Sequence, residues 1–340
     1  MVGQRLRQSR LHPRTGNDKA KLIQSLRYEN TETTLFLLGP HSIMIDMKKK
    51  DNTAVSDVGR LVIGCRDRPG IISDVSSFLH HKGANIIDFD QHSSGSPEGK
   101  FFLRLEFELP ELEERHNTLV QSFMDNVAQV HKMHWAMTLA STKPRVAIFV
   151  SKFDHALMEL LWLTARGILP IEVAVVISNH DDLRLQVQGL GFRFEHIPVN
   201  PDNKQEAETQ AIEMFGGEVE LVVLARYMQV LSEYFVKQFP SQIINIHHSF
   251  LPAFAGADPY RQASDKGVKL IGATSHYVTA ELDQGPIIEQ DVVRVSHRLS
   301  VPELKQLGNE VERKVLARAV RWHAENRVIV DGNKTIVFTK

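Results

Sequence analysis

The spacing of apolar residues changes character three times along the chain. Up to about residue 57 no period of 2 or 3.6 is sustained, and basic residues clump at Arg5, Arg7, Arg10, Arg14 and Lys48-Lys49-Lys50. Residues 1–57 therefore read as a disordered or loosely attached extension. From Arg60 the pattern sharpens. The β-rich run Leu61-Val62-Ile63-Gly64-Cys65 passes through Asp67-Arg68-Pro69-Gly70 into the helical spacing Ile71, Ile72, Val75, Phe78, Leu79, which Gly83 stops. Strands follow at 85–92 and 100–109 around a Ser-Gly-Ser-Pro-Glu-Gly turn, then a helix at 112–131 and a strand at 134–140. The order βαββαβ predicts a ferredoxin-like domain over residues 58–142.

After Lys143-Pro144 the period changes again. Continuous apolar runs at 146–150, 173–177, 221–224 and 243–246 alternate with helical segments at 156–166 and 205–215. Unbroken apolar strands between helices predict a parallel sheet covered on both faces, here over residues 143–340. Such a sheet takes its ligand at the carboxyl ends of its strands. A helix at 301–324 and a hairpin around Asp331-Gly332-Asn333-Lys334 close the chain. The fold class expected is α/β, a ferredoxin-like domain followed by a doubly wound, mostly parallel, Rossmann-like one.

Composition narrows the function. A length of 340 residues with 42% hydrophobic content supports two cored domains. Forty Lys+Arg against 41 Asp+Glu leaves a net charge of −1, which offers no field for a nucleic-acid backbone. No run approaches the roughly 18 apolar residues of a membrane helix. The longest candidate, 35–47, is broken by Gly39-Pro40-His41. With the single Cys65, the expected setting is a reducing cytoplasm.

The polar residues on apolar strands are the candidates for chemistry. In Ile243-Ile244-Asn245-Ile246-His247-His248, alternation puts Asn245 and His247 on one face and His248 on the other. A second strand, 270–278, carries His276 and leads to Asp283-Gln284-Gly285-Pro286, where Gly285 is expected to give the turn its conformational freedom. An Asn, a His and an Asp together suit attack on a planar acyl carbon. The amide donates to the developing oxyanion, worth ~10²–10³ in rate, while the imidazole moves a proton and the carboxylate polarises water. No Gly-x-Ser-x-Gly elbow frames Ser249, so direct transfer to water or an amine fits better than a covalent intermediate. The histidines and Asp283 are also metal-ligand types, but neither His-Glu-x-x-His nor a Cys-x-x-Cys pair is present, and no metal is expected.

Three blocks in order, Asn245-Ile246-His247-His248-Ser249-Phe250-Leu251-Pro252, then Gly272-Ala273-Thr274-Ser275-His276-Tyr277-Val278, then Leu282-Asp283-Gln284-Gly285-Pro286, resemble the folate-dependent formyltransferase superfamily. The opening Asp67-Arg68-Pro69-Gly70-Ile71 of the first domain is similar to that of ACT domains. Together, over about residues 60–340, the chain resembles the formyltetrahydrofolate deformylase family.

That resemblance implies hydrolysis of 10-formyltetrahydrofolate to tetrahydrofolate and formate, which supplies formate for purine synthesis and balances the one-carbon folate pools. It implies Asp283, His247 and Asn245 as the catalytic set, with Asp283 activating water, Asn245 and His247 stabilising the oxyanion and His247 protonating the departing N10. A folate pocket is implied along Arg226, Tyr227, Met228, Val230 and Leu231, with His276 beside it. An amino-acid effector, methionine or glycine, is implied near Asp67, Gly70 and Ile71, as is a homo-oligomer. No cofactor is implied, since the folate is the substrate. Where relatives that formylate glycinamide ribonucleotide carry a glycine-rich phosphate loop, this chain has Ser151-Lys152-Phe153-Asp154-His155, without glycine and with an added carboxylate. Water rather than an amine is therefore the expected acceptor. A formyltransferase acting on such an amine, or a non-catalytic folate and amino-acid sensor, are the alternatives.

Overall fold

The computed structural model describes residues 55–95, 99–215, 217–240, 242–252 and 258–339. The extension read over 1–57 falls outside these up to residue 54. The described chain opens with a 3-10 turn, Val55–Asp57.

The first sheet is built from β1 (Val58–Arg66), β2 (Asn85–Ser93), β3 (Lys100–Glu108) and β4 (His134–Leu139), with α1 (Ile71–His81) and α2 (Leu112–Phe123) between them. Its order is β2-β3-β1-β4. The β2/β3, β3/β1 and β1/β4 pairs are all antiparallel. In β1 the period of two buries Leu61, Ile63 and Cys65 against the helices, while Val62 and Gly64 stay half-buried on the opposite face. Helix α1 answers with Ile71, Val75, Phe78 and Leu79. The helix read as continuous over 112–131 contains a π turn, Met124–Ala128, before α3 (Gln129–His131). The extra residue per turn rephases the buried stripe from Leu119 and Phe123 to Val127, Ala128 and His131.

The second sheet has seven strands in the order β11-β10-β9-β8-β5-β6-β7. In chain order the elements are β5 (Arg145–Val150), α4 (His155–Ala165), β6 (Glu172–Ser178), α5 (Arg184–Gly189), β7 (Phe194–His196), α6 (Lys204–Phe215), β8 (Leu221–Leu224), α7 (Glu233–Gln238), β9 (Ile243–His247), α8 (Pro259–Asp265), β10 (Leu270–Tyr277), β11 (Ile287–Arg294), α9 (Val301–Ala324), β12 (Val328–Asp331) and β13 (Lys334–Val337). Pairs β5/β6, β6/β7, β5/β8 and β8/β9 are parallel. In β5, Val146, Ile148 and Val150 pack into the layer of α4, α5 and α9, and Ala147 and Phe149 into that of α6 and α7. Burial on both faces is what made these strands read as unbroken apolar runs.

Strand β10 runs antiparallel to β9, and β11 antiparallel to β10, so the edge carrying His276 is not part of the parallel array. This corrects the expectation that the site residues converge at carboxyl ends of parallel strands alone. The C-terminal end of α9 rests on the first sheet. Arg60 Nη1 donates to the Ala324 carbonyl at 3.3 Å and Arg104 Nη2 to that of Glu325 at 3.1 Å, supplying cationic donors to carbonyls that the helix leaves unpaired. Among the described residues no helix is long and apolar enough to cross a membrane.

Candidate active site

Chain order reverses between β8 and β5, and the crevice beside that switch point is where an open α/β sheet offers a ligand the ends of its strands. A cavity of about 440 Å³ lies next to it, at the ends of β8 and β9, lined by Leu224, Arg226, Asn245 and His247. The β9/β10 register sets Asn245 directly opposite His276, and Asn245 Nδ2 lies 3.2 Å from His276 Nε2. His247, two residues on, shares that face, and its Nδ1 lies 3.3 Å from Asp283 Oδ2. Asp283 Oδ1 lies 3.7 Å from His276 Nε2. One carboxylate thus bridges two imidazoles, and the asparagine completes the group.

Backbone geometry fixes the carboxylate. Asp283 takes the left-handed region itself, at φ 57°. Gly285 does not, which corrects the expectation that it frees the turn. Glycine is needed there because a Cβ would stand 1.6 Å from the Tyr277 carbonyl oxygen and 3.4 Å from His276 Nδ1. That carbonyl accepts from His276 Nδ1 at 2.9 Å, so Nδ1 bears the proton and Nε2 faces Asn245. His247, and after it His276, hold the Asp283 carboxyl well below the usual carboxylate range. His247 Nε2 is buried in this wall with no hydrogen-bond partner among the described residues. An unsatisfied buried ring nitrogen costs about 1–3 kcal/mol, a cost that a substrate atom bonded to it would relieve.

The expected folate residues line the same cavity: Arg226, Tyr227, Met228, Val230, Leu231 and His276. Met228 and Val230 are more than half exposed, at 53% and 57%, an arrangement suited to an apolar ligand. Tyr227 instead packs edge-on to Phe149, 5.2 Å between ring centroids, so part of its surface belongs to the core. The Arg226 guanidinium stacks over Phe153 at 5.0 Å and reaches ion-pair distance of Glu312, Nε to Oε2 3.4 Å.

Glu312 was not singled out from the sequence. It is fully buried and takes Tyr260 Oη at 2.6 Å and His155 Nε2 at 2.8 Å. Burial alone would raise its carboxyl, but His155, Arg226 and Tyr260 outweigh it and hold it low. The readable signal was a carboxylate on the helical stripe Leu304, Val311, Val315, Leu316, Ala319, where period 3.6 calls for an apolar side chain. His248 also lines the cavity, although strand alternation set it apart. It lies past the end of β9, where alternation no longer applies, and its ring stands 6.4 Å from that of Tyr260. Burial, with Arg226 adding to it, pushes its imidazole down to about 4. The place expected to lack a phosphate loop is occupied by this network through Phe153 and His155.

In the first domain, Gly70 at φ 97° is the N-cap of α1, which by itself requires glycine. Asp67 accepts from Ser93 Oγ. Ile71 is a core residue, 2% exposed, which leaves only its backbone for an effector. Among the described residues no group of three or more His, Cys, Asp or Glu side chains is placed to hold a metal ion.

The formyl transferase family model matches residues 144–320 and the ACT domain model residues 59–117. A formyltetrahydrofolate deformylase of Bacillus subtilis strain 168 is 53% identical over 283 residues, 83% of this chain and 94% of the relative. A crystal structure of a formyltetrahydrofolate deformylase from Pseudomonas syringae pv. tomato superposes with TM-score 0.79 at 45% identity, covering 83% of this chain and 94% of that one. A glycinamide ribonucleotide transformylase 1 from Symbiobacterium toebii superposes at TM-score 0.54 and 32% identity over 58% of this chain and 95% of that one.

Proposed function

The chain belongs to the formyltetrahydrofolate deformylase family, with an ACT domain and a formyl transferase domain, and from that premise we propose that it hydrolyses 10-formyltetrahydrofolate to tetrahydrofolate and formate. One observation carries the chemical reading. The buried Nε2 of His247, without a hydrogen-bond partner among the described residues, lies in the wall of the cavity that also holds Asn245, Asp283 and the Met228–Val230 segment. A formyl group seated against Nε2 places its carbonyl oxygen within reach of an imidazole and an amide.

In this reading water attacks the formyl carbon, and the carbonyl electrons pass to an oxyanion held by Asn245 and His247. Asp283 orients the water and stays ionised while the cavity is open. Folate covering the cavity desolvates the carboxylate and raises its affinity for a proton, so it accepts one from the water as the new C–O bond forms. His247 delivers a proton to N10 as the C–N bond breaks, and the Asp283–His247 pair then redistributes the one gained from water. The formic acid so formed ionises to formate, giving one proton to solvent, and formate and tetrahydrofolate leave with no cofactor consumed. The Phe153/His155/Arg226/Glu312 network fills the place where an amine acceptor's phosphate would sit, which favours water.

We assign residues 58–142 to the regulatory ACT domain and 143–340 to catalysis, with an amino-acid effector on the former. A homo-oligomer in the cytoplasm, supplying formate to one-carbon and purine metabolism, completes the reading. The test is incubation with 10-formyltetrahydrofolate and no amine: many equivalents of formate per chain are expected, and turnover only on adding glycinamide ribonucleotide would establish the transferase instead.

A further inference from the structure

The larger cavity is not the one that holds Asn245, His247 and Asp283. About 840 Å³ of space lies between the helix-free face of the first sheet and the C-terminal segment, with Val62, Gly64 and Ala136 on the sheet side and Val328 and Val330 on the hairpin side. Such a volume is in the range of sites for drug-sized molecules and is far larger than a single amino acid needs. Asp67, Gly70 and Ile71 do not line it. Gly64 and Ala136 carry at most a methyl group, so the sheet offers a flat floor.

The charges around it are lopsided. The β1/β3 register sets Arg66 directly opposite Lys100, and the β1/β4 register sets His134 opposite Gly64, with Lys132 two residues before His134. All four cation-forming side chains line the cavity. Like charges directly opposite on paired strands repel. Asp331 pairs with Lys100, but among the described residues no carboxylate lies within ion-pair distance of Arg66 or Lys132. Away from these cations and Asp331 the lining is mostly apolar, with Phe102, Trp135 and Ile329 beside a polar end at Tyr277, His323 and Asn326. Tyr277 Oη and His323 Nδ1 are 2.7 Å apart, and burial pushes His323 down to about 4.

We propose that this cavity is a second ligand site, for an elongated aromatic anion whose charged end meets Arg66 and Lys132 and whose polar end meets Tyr277 and His323. The occupant's flat body lies between the Gly64/Ala136 floor and Val328. Tyr277 connects this site to catalysis. Its side chain lines the cavity, and its carbonyl holds His276 Nδ1, so an occupant acts one residue from the catalytic group. Regulation of turnover through Tyr277 rests on the deformylase reading, whereas the binding itself does not.

The test uses the full chain and the fluorescent aromatic anion anilinonaphthalene sulfonate, with Ala136→Trp separating this cavity from the folate cavity, which Ala136 does not line. One probe per chain is expected to bind, with affinity about tenfold weaker in Arg66→Ser and in Lys132→Ser. Ala136→Trp, which fills the cavity from the solvent-facing side of β4, is expected to abolish the signal. Unchanged binding in Ala136→Trp and Arg66→Ser alike would overturn the proposal. In the wild type the probe should change the rate of formate release by about fivefold or more. An equal change in Ala136→Trp would place the effect in the folate cavity and also overturn it. Because fluorescence needs no turnover, failure of the site and failure of the deformylase reading are read separately.

Discussion

At Asp283 a strained backbone and two imidazoles meet, and each constrains what the residue can do. A carboxyl held so low by His247 and His276 remains ionised at any working pH, so loss of activity on acidification should not follow an ordinary aspartate titration. Asp283→Asn keeps the shape and removes the charge. Formate release should fall by about 10²–10⁴ while tetrahydrofolate binding, followed by tryptophan quenching, stays within a few fold. Gly285→Ala tests the neighbouring constraint. Its methyl would stand 1.6 Å from the Tyr277 oxygen, which must move and take the His276 Nδ1 bond with it. We expect a loss of more than about 1 kcal/mol in urea unfolding together with a fall in kcat. The sequence marked Asp283 and Gly285 as a turn pair, but which of the two carried the positive φ depended on the Tyr277 carbonyl, which only β10 brings there.

Helix α9 is the element on which the molecule turns. Its buried stripe closes one face of the second sheet, its middle carries Glu312 within ion-pair distance of Arg226 in the wall of the candidate-site cavity, and its end is held by Arg60 and Arg104 from the other domain. Removing Glu312 leaves Arg226 buried without its countercharge, which typically costs about 3–5 kcal/mol. Glu312→Ala should therefore lower the urea midpoint sharply. Glu312→Gln, which can keep the Tyr260 and His155 hydrogen bonds, should lose less. If both variants unfolded at the wild-type midpoint, the network would have no part in stability. At this scale the 301–324 helix was legible from its regular buried stripe, and β5, β6, β8 and β9 from unbroken apolar runs that follow from burial on both faces. β7, three residues long, and β11, whose exposed positions break the apolar pattern, were not. The antiparallel sense of β10 was likewise invisible, since alternation along a strand is blind to the direction of its neighbour.

Across the whole molecule, His248 and His323 should dominate the response of stability to mild acid. Both are pushed by burial down to about 4, below the unfolded value of 6.5. Between those values the unfolded chain binds the protons that the fold refuses. Stability is full above about 6.5 and falls as pH drops toward 4, by up to about 3 kcal/mol per group. Thermal midpoints at pH 6.5 and 4.5 should show this decline, with a shallower slope in His323→Gln; equal slopes would exclude His323 as a source. What the sequence determined by itself is what local pattern can carry: two α/β domains, the buried stripes of the regular elements up to the π turn at Met124–Ala128, and Asn245, His247 and Asp283 as candidates for acyl chemistry. What only tertiary structure decided is everything that joins distant segments. Examples are the register that places His276 opposite Asn245, the carboxylate shared by two imidazoles, Glu312 under Arg226, and the space between the first sheet and the C-terminal hairpin. Burial and charge at those places depend on which surfaces meet, and a one-dimensional period holds no record of that.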